Sequence, residues 1–425
     1  METDAVPQQG QEKAEAVESA DLVIGILPEI DPSAQAAMLA PLRGLSGPLR
    51  VAILQNRPAA TANRAAGLPE TAANLETSPK DSSVVFLPSP LPRPDSAAAG
   101  VLRMAAMYQS IFAASEKLQA RGCCIIASEL EAGTPRWIYQ LTEPLVERNV
   151  DLVLPHYTRR KFQGLINNSI IAPLTRALYG KRVSNPMGPD FGISRRLFRK
   201  MLGTERSSWA DGNALHPLAS LTPAALCENL QVNEVYVGAR VYPPTDWTNL
   251  SSLLTEVLSP VFLDMERNAA CWQRTRFSVP VPAFGESLVV RQDTGTLDVT
   301  RMVESFQLGN RELQEIWGLV LPPSTLFELR KLSRIPVEQF HMADELWVRI
   351  VYDFAVAHRL RTISRDHLLR SMTPLYLAWV ASYAHDLQTG GGTFLERRLE
   401  RLSLAYETGK PYLVSRWRWP DRFNP

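Results

Sequence analysis

Short apolar runs closed by turn-forming residues recur through the first third of the chain. Asp21-Leu-Val-Ile-Gly-Ile-Leu27 stops at Pro28, and Leu49-Arg-Val-Ala-Ile-Leu54 and Ser83-Val-Val-Phe-Leu87 repeat the pattern. Runs of this length without polar alternation fit strands buried on both faces. Between them, Pro32 to Leu45 and Ala98 to Arg121 carry helical spacing. In the second, Val101, Leu102, Ala105, Tyr108, Ile111, Phe112 and Ser115 form a broad stripe. Cys123-Cys-Ile-Ile-Ala127 predicts a fourth strand, Pro135 to Arg148 a helix with Thr134 as N-cap, and Asp151 to Pro155 a fifth strand. This alternation implies an α/β fold with a mostly parallel, Rossmann-like sheet covered by helices on both faces.

Gln231 to Val241 reads as a further strand, and Asn249 to Trp272 as a long helix bent at Pro260. Pro280, Pro282, Gly285 and Gly295 among polar residues mark a linker. Beyond it the spacing is helical over Arg301 to Val320, Ser324 to Leu332, Ala343 to His358, Ser364 to Ala384 and Thr393 to Tyr406, with Gly390 to Gly392 as a hinge. The expected organisation is a disordered acidic lead over 1–19, an α/β domain over 20–274, a linker over 275–299 and an all-helical lobe over 300–425.

The chain has 425 residues, 45% of them hydrophobic and 21% charged, enough to bury large cores. Its net charge of +1 provides no global field toward nucleic acid or an anionic membrane, so anion binding must come from local patches. The cysteines at 123, 124, 227 and 271 lack C-x-x-C spacing and are expected to be reduced. No run of 18 apolar residues or secretory leader appears, so a cytoplasmic protein without a membrane span is expected.

In parallel sheets, ligands sit beyond the carboxyl ends of the strands. One such end is rich in polar groups: Asp151-Leu-Val-Leu-Pro155 leads into Tyr157, Arg159, Arg160 and Lys161, then Gly164, Asn167 and Asn168. A helix with apolar Ile166, Ile170, Ile171, Leu174 and Leu178 follows, kinked at Pro173 and stopped at Gly180. The turn Gly188-Pro189-Asp190-Phe191-Gly192 then presents a carboxylate ahead of a helix. A cationic mouth of this kind suits phosphates or a small acid, although a basic loop can also be simply solvated.

This block resembles the P-x-Y-x-R, G-x-x-x-N, P-L-x-R-A-L-Y-G and P-x-G-G-D-F-G-x-S elements of bacterial GT-A glycosyltransferases similar to the glucosylglycerate, mannosylglycerate and glucosyl-3-phosphoglycerate synthases. Here they read Pro155-His-Tyr157-Thr-Arg159, Gly164 to Asn168, Pro173 to Gly180 and Pro186 to Ser194, with Pro189 in place of a glycine. The resemblance implies a nucleotide-diphosphate sugar donor, a glycerate-like acceptor and Mg2+ or Mn2+. It implies Tyr157, Arg159, Lys161 and Asn168 at the acceptor, Asp190 as the acid beside the reacting centre, and Glu29, Asn56, Ser128, Glu129 and Arg240 on the donor side. The family's Asp-x-Asp metal motif corresponds to Ala127-Ser128-Glu129, leaving Glu129 as the metal-ligand candidate, and its histidine corresponds to Tyr242. Ser128 and Glu129 can equally cap the helix that begins near Pro135, and Arg240 can lie on a solvent face. Trp209, Asp211 and His216 match a further family segment only loosely. The resemblance extends to the helical lobe through Lys410-Pro-Tyr-Leu413, where packing and subunit contact, as in a homodimer, are the expected roles.

Two functional readings follow. The first is transfer of a hexose to a small acidic acceptor, retaining in stereochemistry as in those relatives, with weakened metal dependence. The second is an inactive binding or regulatory relative, because Ala127 and Tyr242 each remove part of the donor grip. A nucleotidyltransferase ranks last, for want of a glycine-rich phosphate loop.

Overall fold

The computed structural model describes residues 19–27, 49–55, 84–88, 100–133, 137–208, 217–241, 246–287, 295–389 and 394–420. The acidic lead up to residue 18, the helix expected from Pro32 to Leu45, Thr134 and the hinge Gly390 to Gly392 lie outside them.

Eight strands run side by side in one sheet. β1 (Leu22–Ile26), β2 (Val51–Gln55), β3 (Val84–Pro88) and β4 (Gly122–Ile126) are the buried runs anticipated from sequence. β6 is Leu152–Thr158, β8 Phe191–Ser194, β9 Val232–Arg240 and β11 Ala283–Phe284. Their order is β3-β2-β1-β4-β8-β6-β9-β11, and β5 (Leu130–Gly133) pairs with β9 outside this path. β1, β2, β3 and β4 are mutually parallel, as are β6, β9 and β11. β8 is wedged antiparallel between β4 and β6. Sequence reading took Phe191 and Gly192 as part of a turn before a helix, whereas they open β8 and the helix begins only at Arg195. Gly192 explains the wedge: a Cβ there would lie 2.4 Å from the Leu141 carbonyl, so only glycine lets the Trp137–Glu147 helix cross this strand so closely.

One sheet face packs Leu22, Ile24, Ile26, Cys124 and Ile126 against Trp137, Leu141 and Leu145. The opposite face, with Val23, Cys123, Ile125, Leu152 and Leu154, belongs to a core that runs on through Tyr108, Phe112, Leu174 and Phe262 into Trp347, Trp379 and Tyr406. The helical residues beyond 299 therefore share one hydrophobic interior with the sheet. The segment expected as a linker contains β11 and a second short strand, β10 (Val279–Pro280), which pairs with β7 (Lys181–Arg182).

The C-terminal helices are more finely divided than their hydrophobic spacing predicts. The stretch from Ser364 to Ala384 splits into Arg365–Ser371 and Thr373–Thr389, with Pro374 in the first turn of the second, where its missing N–H costs little. Phe394–Arg418 forms one helix, continuing past the expected end at Tyr406.

The cysteines depart from expectation. Cys227 and Cys271 form a disulfide across 44 residues, with Cα atoms 5.8 Å apart, tying the Pro217–Cys227 helix to the Ala269–Trp272 helix. Cys123 and Cys124 are buried and free, and burial pushes the Cys123 thiol up to about 12. Among the described residues no helix is long and apolar enough to cross a membrane.

Candidate functional site

The pairing of β6 with β9 places Thr158 opposite Ala239, which brings Arg159 and Arg240 to the same edge of the sheet. β5 pairs Leu130 with Arg240, and Val241 N–H donates to the Glu129 carbonyl at 2.9 Å. Asp190, leading into β8, lies between these strands and β4. Glu129, Arg159, Arg240 and Asp190 thus gather at the carboxyl ends of β4, β6 and β9.

Asp190 does not face outward as expected. It is fully buried, and its Oδ1 accepts the N–H groups of Ala127 at 2.6 Å and Ser128 at 2.9 Å. Its Oδ2 accepts the Tyr157 hydroxyl. A carboxylate held by two main-chain amides and a phenol fixes the turn after β4. Tyr157, expected at the acceptor, is buried with it; burial and then the Asp190 charge hold its hydroxyl protonated well above the usual tyrosine range. The Arg240 guanidinium lies 5.9 Å from the Tyr157 ring centre, so it belongs to this cluster.

Arg159 is the centre of a second, less buried group. One guanidinium nitrogen donates to Asn168 Oδ1 at 2.6 Å and another to Asn185 Oδ1. Asn185 in turn donates to the Pro155 carbonyl at 3.2 Å, and Asn168 to the Gln163 carbonyl at 3.3 Å. Gly164, at φ +64°, turns the loop beneath this guanidinium, where a Cβ would stand 3.1 Å from Arg159 Cζ. Lys161 Nζ lies 5.0 Å from the centre of the Phe162 ring.

Sequence reasoning missed the neighbours that complete this edge. His156 Nδ1 pairs with Ser184 Oγ at 3.0 Å and lies 3.7 Å from Glu234 Oε2, while Glu234 Oε1 accepts the Ser184 N–H at 2.7 Å. Asn167 Nδ2 donates to the Ser184 carbonyl at 2.9 Å, linking this set to the Arg159 group. These contacts join strands distant in sequence, and only Asn167, within the quoted motif block, carried any local signal. Glu29, Asn56, Trp209, Asp211, His216 and Tyr242 lie outside the described residues.

Among the described residues no group of three or more His, Cys, Asp or Glu side chains could hold a metal ion. Both Asp190 oxygens already accept hydrogen bonds from Ala127, Ser128 and Tyr157, so Asp190 does not offer a metal-ligating carboxylate beside Glu129. The described donor set therefore does not fit a protein-built Mg2+ or Mn2+ site.

A largely parallel sheet with two reversed strands, β8 within it and β5 beside β9, polar groups gathered at its carboxyl edge and helices packed behind it define an α/β protein. Solved structures similar to this chain include glucosyl-3-phosphoglycerate synthase from Mycobacterium tuberculosis in complex with phosphoglyceric acid, at 14% identity over 61% of this chain and 85% of that one, with a TM-score of 0.34. A complex of that synthase with Mn2+, UDP-glucose and phosphoglyceric acid matches at 16% identity, covering 62% and 86%, with a TM-score of 0.34. Mannosyl-3-phosphoglycerate synthase from Rubrobacter xylanophilus matches at 14% identity, covering 61% and 79%, with a TM-score of 0.37. No family model matches the chain. No curated protein matches it either.

Proposed function

We propose that this chain is a glycosyltransferase that moves a hexose from a nucleoside-diphosphate sugar to a small acidic acceptor of the glycerate type. The observation that carries the reading is the Arg159 group. Its guanidinium is held by Asn168 and Asn185 at the carboxyl edge of the sheet, level with Arg240 at the end of β9 and Glu129 just before β5. A planar cation oriented by two amide oxygens is held in place to meet a carboxylate or phosphate, and orientation before binding lowers the cost of capture.

In this reading Arg159, Lys161 and Asn168 receive the anionic acceptor, and Arg240 with the Ser128 to Glu129 turn faces the donor. Asp190 and Tyr157 act from below by fixing that turn. In a retaining transfer the sugar's bond to the diphosphate breaks as the acceptor hydroxyl attacks from the same face. The departing diphosphate oxygen takes the hydroxyl proton, so no side-chain nucleophile is needed. The cations lower the barrier by meeting charge as it develops on the leaving group.

Incubation with UDP- and GDP-hexoses, each with glycerate or 3-phosphoglycerate, followed by assay of released nucleoside diphosphate and glycosylated acid, tests this. Product with at least one pair is expected, and absence of product from all pairs, with and without Mg2+ or Mn2+, would overturn the enzymatic reading. The second reading, a non-catalytic binder, is favoured by one feature: Ala127 stands where the family holds an acid, and its amide is engaged by Asp190. Nucleotide binding without turnover would select it.

A further inference from the structure

We infer that the C-terminal helices are the positioning frame of the acceptor loop, with Tyr383, Tyr406 and Trp347 as positioning residues. This rests on the reading of Arg159, Lys161 and Asn168 as an anion-binding rim. The segment 161–169 is anchored to those helices at both ends through main-chain carbonyls. At one end the Tyr383 hydroxyl donates to the Lys161 carbonyl at 2.8 Å. At the other, the Tyr406 hydroxyl and Trp347 Nε1 both donate to the Ser169 carbonyl, at 2.8 and 3.1 Å.

The Ser169 carbonyl is available for a chemical reason. Asn167–Ile171 forms a π-turn in which Ala172 N–H returns to the Asn167 carbonyl. The residue four positions after Ser169 is Pro173, which has no N–H to donate. Pro173 cannot serve this buried carbonyl as an α-helical residue would, and the two aromatic side chains donate to it across more than 170 residues. Asn168, which holds Arg159, stands inside this turn, so whatever fixes Ser169 also fixes the guanidinium's acceptor.

The donors are themselves rigid. Trp347, Tyr383 and Tyr406 are fully buried; Trp347 stacks on Trp379 with ring centres 6.1 Å apart, and Trp379 on Tyr383 at 5.1 Å. The Arg398 guanidinium lies 5.6 Å from the Trp379 ring and 5.8 Å from that of Tyr383, and pairs with both Asp344 oxygens at 2.7 and 2.8 Å. Packing alone would need only the rings, whereas here the polar atoms are aimed at two carbonyls of one loop.

The test is a Tyr383→Phe, Tyr406→Phe double variant, which keeps both rings and deletes both hydroxyls. Two measurements are made well below the unfolding midpoint: amide exchange over 161–169 by mass spectrometry, and calorimetric affinity for 3-phosphoglycerate. Exchange faster by about tenfold and affinity weaker by about tenfold are expected, with UDP or GDP affinity unchanged. Unaltered exchange and affinity would overturn the inference, as would equal weakening toward nucleotide and acid. If the double variant does not fold, Tyr383→Phe alone removes the Lys161 tie and is read in the same way. Wild-type protein that fails to bind 3-phosphoglycerate at millimolar concentration would remove the acceptor reading, and the exchange measurement would still decide whether the frame holds the loop.

Discussion

At Asp190 two amides and a phenol converge on one carboxylate from which water is excluded. An acid in a glycine-rich turn reads from sequence as an exposed ligand, and nothing local reports that the turn after β4 will close over it. Removing the phenol in Tyr157→Phe leaves a buried carboxylate oxygen short of a donor and should cost about 2–3 kcal/mol in denaturant unfolding. A double-mutant cycle with Asp190→Asn should show coupling above about 1 kcal/mol; additivity would mean that the two do not act as a pair. Asp264 offers a separate titration. It is buried beside Tyr179, whose hydroxyl donates to it at 3.1 Å, and burial raises it from 3.8 to about 7. Between these values the unfolded chain releases a proton that the folded chain keeps, so this group's contribution is full at acid pH and is lost as pH rises through about 7. Relative to wild type, Asp264→Asn should remove a fall in stability on the order of 4 kcal/mol between those limits. Parallel stability–pH curves for the two proteins would refute that assignment.

Secondary-structure elements were legible where burial and local pattern agree. β1, β2 and β4 coincide closely with their apolar runs, and the stripe through Tyr108, Ile111, Phe112 and Ser115 is buried as its spacing predicts. β8 was not legible: it is four residues long, contains a glycine, and owes its strand geometry to the partners on either side. Gly192→Ala should accordingly destabilise by about 3 kcal/mol or more, since the added carbon meets a helix backbone that cannot turn aside. A thermal midpoint within a degree of wild type would show that the helix can move. In the candidate site, Arg159 and Asn168 stood out because they are close in sequence. Asn185, Ser184 and Glu234 did not, because only the sheet brings them there.

On the scale of the whole molecule, the sheet and the C-terminal helices share one interior, and Arg176 makes the junction explicit. Its guanidinium, on the helix after the Arg159 loop, reaches Glu400 at 2.6 Å and Glu407 at 2.5 Å on the last long helix. Unfolding in denaturant should be a single transition by fluorescence and circular dichroism, and separated transitions would mean two independent units. The Cys227–Cys271 bridge could not be read from spacing, because the intervening β9 strand and Leu250–Arg267 helix return the chain to its starting point. Chain entropy for a loop of that length gives roughly 4 kcal/mol, so paired serine substitutions should lower stability by about that amount. The proposed function requires the carboxyl edge of this sheet to receive a nucleoside-diphosphate sugar together with a small acid. Its most direct test is calorimetric titration of 3-phosphoglycerate, in the presence of UDP or GDP, into wild-type protein and Arg159→Met. Micromolar binding that weakens at least about tenfold in the variant is expected. Identical affinity in the two proteins, or no heat at millimolar ligand, would contradict it.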